Sequence, residues 1–397
     1  MRVLEDLRRS WSENGLLHDG KPTPTFIEEI GLACAENVRS AAICRWMNNH
    51  KREAVVWLRS LDCIDIPDDL IFTREETFPT DPSSSGKGKR SRIDIGIYNS
   101  DNGHPVAFIE MKWLAEPNCE QLEEYRRCVD MKYPETKIPI LLISPVSAVY
   151  GVMGKPIEKS MLLDYNALSC IDAPPEERNC IEHDLAQTLK RWKLLADEVK
   201  GKISCDEVKL SELFELDHWL LELDPAIASY STLLRRLMVA CLSECLRARV
   251  PSLPLKRTLT GRGPRSNDMQ ADVAGTREFS FFRNPMVHEE DHGMLVNIRF
   301  RIPAGRLNQL QVSLGSAFVP YWGDSDEGEF EFCKDLRGFV SDRLKNSGLS
   351  VRSGNCKHRW KCSHTSKFTG ASSVGDVITH ALRLTSILED IAVQFSG

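Results

Sequence analysis

Hydrophobic and polar residues follow two periods along the chain, and each period predicts a type of secondary structure. Apolar residues recur three and four positions apart over Thr23–Asn48 and over Asn118–Met131, which predicts amphipathic helices. Leu70–Phe78 predicts a strand, and Arg92–Trp113 predicts two strands joined by a tight turn. Ile138–Ser144 is a short, continuous apolar run, typical of a strand buried on both faces. This order of elements predicts an α/β fold with a mixed sheet flanked by helices.

The rest of the chain predicts a helical segment and then a second domain. Helical periodicity continues through residue 250, and Pro251–Gly275 is rich in Pro, Gly and Arg, which is typical of a boundary. Strand and helix patterns both follow it, so the C-terminal domain is expected to be α+β. We therefore predict an α/β domain over residues 1–175, a helical linker region over residues 176–250 and a C-terminal α+β domain over residues 251–397.

Composition narrows the cellular setting. No apolar run reaches the roughly 20 residues that a membrane helix needs. The thirteen cysteines have no repeated spacing, which is typical of reduced thiols and predicts a cytoplasmic protein. A net charge of −6 speaks against coating nucleic acid by bulk charge, although a local basic patch is compatible with it.

The predicted hairpin carries charged residues where a buried strand should be apolar. A two-residue Asn102-Gly103 turn would place Asp94 across from Met111, on an apolar face. A three-residue loop, Asp101–Gly103, instead places Asp94 across from Glu110, and it needs a left-handed residue at the position of Gly103. We therefore predict that Asp94, Glu110 and Lys112 share one face. Ile93, Ile95 and Ile97 should then share the other.

Two converging carboxylates repel each other unless a cation lies between them. A hard divalent ion, Mg²⁺ or Mn²⁺, prefers such oxygen ligands and can activate water for attack on a phosphodiester. The ammonium of Lys112, two residues beyond Glu110, can stabilise the charge that develops on the phosphoryl group. The alternative is a buried ion pair between Lys112 and one of the carboxylates, with no catalytic role.

Asp94 followed by Glu110-Met111-Lys112 resembles the signature of the PD-(D/E)XK nuclease superfamily, and the segment QLEEY resembles the Q-x-x-x-Y helix of its RecB-like branch. The resemblance covers about residues 20–170. It implies a restriction-endonuclease-like fold, with Asp94, Glu110 and the carbonyl of Met111 as metal ligands and Lys112 as the catalytic lysine. Gln121 and Tyr125 would steady the site, and Glu29 or Glu36 from the first core helix would face the metal.

Basic residues surround the predicted site and predict contacts with nucleic acid. The candidates are Lys87, Lys89, Arg90 and Arg92 before Asp94, and Arg126 on the following helix. A solvated loop is the alternative for the first group. We expect the substrate to be DNA rather than RNA.

Several alternatives stay open from the sequence. An RNase could use the same site, and an inactive nucleic-acid-binding or assembly module could retain the fold. By analogy with the superfamily, the protein could act in restriction or antiphage defence, with the C-terminal domain as the surface for self-association or for a protein partner. Within that domain Cys356, His358, Cys362 and His364 could close a zinc site, but their spacing is unusual and an ordinary basic strand accounts for them better.

Overall fold

The computed structural model of the protein divides into two compact units. The first comprises residues 1–199 and 217–237, and the second comprises residues 200–216 and 238–397. The residues that the structure describes are 3–29, 36–61, 66–79, 90–112, 119–144, 151–152, 155–156, 162–164, 168, 180–224, 226–227, 229–250, 257–262, 269–274, 294–303, 308–318, 338–356 and 359–395.

The first unit contains a mixed sheet flanked by helices, as predicted. Its helices are α1 (Val3–Glu13), α2 (Phe26–Glu29), α3 (Glu36–Asn49), α4 (Lys51–Ser60) and α5 (Cys119–Lys132). Its strands are β1 (Leu17–His18), β2 (Lys21–Pro22), β3 (Leu70–Pro79), β4 (Arg90–Asn99), β5 (Pro105–Met111), β6 (Ile140–Ser144), β7 (Gly151–Val152), β8 (Lys155–Pro156) and β9 (Leu162–Asp164).

The order of strands in the main sheet is β3-β4-β5-β6-β9 over the described residues. The first three are antiparallel neighbours, and β6 is parallel to both β5 and β9. Helices α3 and α5 both contact β3 and β4. The helix predicted over Thr23–Asn48 is represented by α2 and α3, and residues 30–35 between them lie outside the described residues.

The second unit contains an antiparallel sheet, so the predicted C-terminal domain of strands and helices is confirmed at this level. Its strands are β10 (Arg257–Arg262), β11 (Met269–Ala274), β12 (Met294–Ile302), β13 (Gln309–Phe318), β14 (Arg352–Cys356) and β15 (Arg359–Thr369), in the order β10-β11-β12-β13-β15-β14. Helices α6 (Cys180–Ile203), α7 (Leu210–Glu222) and α8 (Ser229–Arg249) contribute residues to both units. Helix α9 is described over residues 338–346, and α10 (Val374–Phe395) contacts β12 and β13.

Strands β4 and β5 form the hairpin that carries the predicted site. Ile95 pairs with Ile109, and Ile97 pairs with Ala107. This is the register that the prediction required, and continued by one residue it would place Asp94 across from Glu110.

The turn of this hairpin is longer than the predicted three-residue loop. The backbone N–H of Asn99 donates to the carbonyl of His104 over 2.9 Å, and Gly103 N–H donates to the Asn99 carbonyl over 2.9 Å, so residues 100–103 form the turn. A β-bulge between Ile97 and Tyr98 compensates for the additional residue and restores the register near the site. The side chains of Asn99, just before the turn, and Asn102, within it, each accept a backbone hydrogen bond. The hydrophobic pattern alone could not reveal these bonds.

The alternation of side chains along β4 is interrupted at Asp94. Ile93 packs in one hydrophobic cluster with Phe108, whose partner across the ladder is Gly96. Ile93 therefore packs on the face of the sheet that carries Phe108. Strict alternation would have placed Ile93 on the opposite face, with Ile95 and Ile97. The residue beside Asp94 in the β3–β4 register, Glu75, has a φ of +57°, and this backbone irregularity accounts for the interruption.

Gly103 gives a prediction about folding. Its φ is +66°, and a Cβ added at this position would meet no atom within 4 Å, so a substitution there would act through backbone strain alone. We expect Gly103→Val to lower the free energy of unfolding by about 1–2 kcal/mol. Gly103→Asn should cost less, because asparagine adopts positive φ more readily. Thermal unfolding would test this, and equal stability of the two variants would contradict the strain argument.

Candidate functional site

The side chain of Asp94 takes the place of a backbone acceptor in the hydrogen-bond ladder between β4 and β5. Its carboxylate accepts a hydrogen bond of 2.8 Å from the backbone N–H of Met111, just beyond the last regular pair, Ile95 with Ile109. Burial raises the pKa of Asp94, while the Met111 N–H and the nearby charges of Lys112 and Arg92 act in the opposite direction. Asp94 is thus fixed at the point where the two strands separate, with a partly buried carboxylate.

Glu110 lies on β5 with its side chain almost wholly buried, at 3% exposure. Its Oε1 accepts hydrogen bonds from Lys112 Nζ over 2.6 Å and from the Tyr125 hydroxyl over 3.4 Å. Its Oε2 is buried without a hydrogen-bond partner among the described residues. Burial, followed by the charge of Asp94, raises the pKa of Glu110 to about 7 in spite of the neighbouring lysine. Glu110 Oε2 is therefore a buried oxygen that no described hydrogen bond satisfies.

Lys112 directs its ammonium towards the same group of carboxylates. Its Nζ lies 2.6 Å from Glu110 Oε1 and 3.5 Å from Glu36 Oε2. Burial by itself would lower the pKa of Lys112, but the carboxylates of Glu110, Glu36 and Asp94 together raise it. The amine therefore stays protonated in this setting.

Helix α5 brings the two residues of the Q-x-x-x-Y segment to the site. Gln121 Nε2 lies 2.5 Å from the Tyr125 hydroxyl, which in turn donates to Glu110 Oε1. Burial raises the pKa of Tyr125, so its hydroxyl remains a donor. Gln121 and Tyr125 thus orient Glu110 from the side of α5.

The structure separates the acidic residues near the first core helices. Glu36, the first residue of α3, contacts Lys112, whereas Glu29 is exposed and makes no contact with the site within the described residues. Glu28 is fully buried elsewhere, where it accepts hydrogen bonds from Arg191 Nη1 over 2.5 Å and from the Tyr230 hydroxyl over 3.1 Å. Of these three glutamates, Glu36 is therefore the one close enough to act with Asp94 and Glu110.

The predicted nucleic-acid contacts differ in how far the structure describes them. Lys87 and Lys89 lie outside the described residues, and the side chain of Arg90 is likewise not described. Arg92 is exposed and forms an ion pair with Glu75. The guanidinium of Arg126 is held by Asp130 and by the carbonyl of Ile138, so binding a phosphate would require it to leave these partners.

The donor set at the site suits a metal ion that keeps part of its water shell. Within the described ranges, no group of three or more His, Cys, Asp or Glu side chains is arranged to hold a metal. Mg²⁺, however, is usually bound by one or two carboxylates and retains several waters. Asp94 and Glu110 are the two carboxylates that would supply such a set, and the buried Oε2 of Glu110 is an oxygen without a hydrogen-bond partner among the described residues.

The Lys112–Glu110 contact is also the buried ion pair that the sequence left as an alternative. A pair that served stability alone would be expected to balance its charges and satisfy its hydrogen bonds. Here one ammonium lies among the carboxylates of Asp94, Glu110 and Glu36, and Glu110 Oε2 has no described partner. The buried Oε2 of Glu110, unsatisfied among the described residues, is the feature that a structural ion pair does not explain.

The possible zinc ligands of the second unit are only partly described. His364 is buried, and its two ring nitrogens lie 2.8 Å from the Ser350 carbonyl and 2.8 Å from Ser366 Oγ. His358 and the side chains of Cys356 and Cys362 lie outside the described residues. The hydrogen bonds of His364 explain its burial, and zinc binding stays a prediction.

The raised pKa of Glu110 predicts a pH dependence of stability. Its ordinary pKa is 4.5, but in the folded protein the value is about 7, so between these values only the unfolded chain has released the proton. The resulting stabilisation, up to about 3 kcal/mol, is fully present at low pH and is lost as the pH rises through about 7. Glu110→Gln should remove this contribution. Urea unfolding at a series of pH values would measure it, and parallel curves for the two proteins would contradict the assignment.

No protein-family model matches the sequence, and no curated protein or solved structure is significantly similar to it. Among the described residues, no helix has the length and apolar character needed to cross a membrane. The cytoplasmic location therefore stays a prediction, and any assignment of function depends on the geometry of the site itself.

Proposed function

We propose that the protein is a metal-dependent nuclease that hydrolyses phosphodiester bonds, with DNA as the expected substrate. The proposal depends on one observation above all: Lys112 contacts Glu110, Asp94 is close enough for its charge to raise the pKa of Glu110, and Glu110 Oε2 is buried without a described hydrogen-bond partner. The mixed sheet flanked by helices is compatible with a restriction-endonuclease-like fold, which we include in the proposal.

The donor set favours Mg²⁺ or Mn²⁺ as the cofactor. Asp94, Glu110 and the Met111 carbonyl would hold the ion, and Glu36 is close enough to Lys112 to contribute negative charge. When bound, such an ion supplies Lewis-acid polarisation of the phosphoryl group and lowers the pKa of a bound water.

The side chains around the ion would have separate roles. Lys112 would stabilise the negative charge that develops on the phosphoryl oxygens and orient the attacking water, because its ammonium already lies beside both carboxylates. Tyr125 and Gln121 would hold Glu110 in position through the hydrogen bonds described above. Met111 N–H would hold Asp94 in the same manner.

Incubation of the purified protein with linear, circular and single-stranded DNA and with RNA would test the proposal. We expect cleavage with Mg²⁺ or Mn²⁺ and little with Ca²⁺, whose larger radius and flexible coordination activate water less well. Cleavage that continues undiminished in excess EDTA would contradict the metal mechanism, and cleavage of RNA alone would identify an RNase.

A further inference from the structure

Glu75 has a backbone conformation that is unusual for its residue type. Its φ of +57° lies in the left-handed region, which glycine and asparagine adopt far more readily than glutamate. It also interrupts the ladder between β3 and β4, because Arg74 pairs with Ile95 and Glu76 pairs with Ile93. Between these two pairs, Glu75 of β3 and Asp94 of β4 are not paired in the regular ladder.

Two arginines converge on the carboxylate of Glu75. Arg74 Nη2 lies 3.1 Å from Oε1, and Arg92 Nη1 lies 3.3 Å from Oε2. Arg74 also donates to the carbonyl of Asn37 over 3.1 Å, which fixes its guanidinium near the start of α3. Each oxygen of one carboxylate thus faces a different arginine, as two oxygens of a phosphate would.

These contacts lie at the edge of the proposed active site and in reach of solvent. Arg92 is two residues before Asp94 and is close enough to lower its pKa in part. The exposed fractions of the side chains are 43% for Arg74, 61% for Arg92 and 35% for Glu75. Ion pairs this exposed are weak, so nucleic acid, whose neighbouring phosphates add contacts of their own, can displace the carboxylate.

We propose that Glu75 occupies the position of a backbone phosphate between Arg74 and Arg92, and that nucleic acid displaces it on binding. This inference rests on the proposed nuclease function. Arg74 and Arg92 would bind the phosphate, and Glu75 would compete with it. The N–H groups of arginine donate to phosphate oxygens as they do to carboxylate oxygens, and a diester bound there would lie next to Asp94. Glu75 would then weaken the binding of nucleic acid at this position, because its carboxylate has to be displaced first.

Binding of a fluorescently labelled DNA duplex, and of an RNA duplex of the same sequence, should be measured by anisotropy in EDTA, where no cleavage occurs. We expect Glu75→Gln to tighten binding about tenfold, which corresponds to one charge-assisted hydrogen bond. Arg74→Ala combined with Arg92→Ala should weaken it by about the same factor. Asp101→Asn removes an exposed acid from the turn of the neighbouring hairpin and is the matched control for net charge.

The decisive comparison places Glu75→Gln in the Arg74→Ala, Arg92→Ala background. In that background, Glu75→Gln should tighten binding no more than Asp101→Asn does, because the arginines with which Glu75 competes for phosphate are gone. Equal tightening in both backgrounds would overturn the inference and would indicate a general charge effect. If the protein cleaves DNA but Glu75→Gln binds like wild type, only this inference fails. If no variant binds or cleaves either nucleic acid, the proposed function fails with it.

Discussion

Asp94→Asn, Glu110→Gln and Lys112→Met should each reduce cleavage by a factor of about 10² to 10³ while leaving the fold intact. Each amide keeps the shape of its carboxylate but does not neutralise a cation, and methionine keeps the apolar stem of Lys112 without its ammonium. The three effects should not add, because the groups act as a unit. Single-turnover cleavage rates and thermal unfolding of the same preparations would measure both properties.

Asp94 offers a control that separates catalysis from folding. Asparagine can still accept the hydrogen bond from Met111 N–H, whereas Asp94→Leu leaves that buried donor without its partner. We expect only the leucine variant to lose stability, by about 1–3 kcal/mol. A wild-type protein that cuts no substrate, with all three amide and methionine variants matching it in binding, would favour the inactive binding module.

Glu28→Ala should destabilise the protein by about 3–5 kcal/mol, because it leaves the guanidinium of Arg191 buried without its carboxylate. The Arg191 side chain is 1% exposed and that of Glu28 is 0% exposed, so water cannot replace the lost partner. Glu28 also accepts the backbone N–H of Thr25 over 2.7 Å at the start of α2, and this hydrogen bond would be lost as well. Urea unfolding would measure the change.

The double variant Glu28→Leu, Arg191→Met is the matched control. Replacing both charges with apolar residues of similar size should recover most of the lost stability. Cleavage per folded molecule should stay near the wild-type level in every Glu28 variant, because Glu28 contacts Arg191 and Tyr230 rather than the proposed site. A large stability loss that persists in the double variant would contradict the ion-pair explanation.

The acidic residues near the first core helices show why sequence reasoning was incomplete. On a single long helix, Glu29 and Glu36 would lie on one face two turns apart, so the sequence could not choose between them. The structure brings Glu36 within 3.5 Å of Lys112 Nζ and leaves Glu29 exposed, with residues 30–35 between them outside the described residues. Which carboxylate reaches the site depends on how this part of the chain packs against β5, and the spacing along the chain does not contain that information.

The turn of the hairpin shows a different limit. The predicted register holds for Ile95 with Ile109 and for Ile97 with Ala107, and Gly103 has the predicted positive φ, but Ile93 packs on the face opposite to the predicted one. The length of the turn depended on asparagine side chains that bind the backbone, and a β-bulge absorbed the difference. The register was predictable because a shift by one residue would move charged side chains to an apolar face.

The sequence by itself determined the order of strands and helices around the site and the identity of Asp94, Glu110 and Lys112, because the periods of burial and the types of side chain are local properties. The tertiary structure alone decided which partners those residues have. Three contacts join atoms from separate elements: the Tyr125 hydroxyl of α5 with Glu110, the Met111 N–H with Asp94, and Arg92 with Glu75. Such contacts depend on how the elements pack, and so do the burial and the pKa of Glu110 that follow from them.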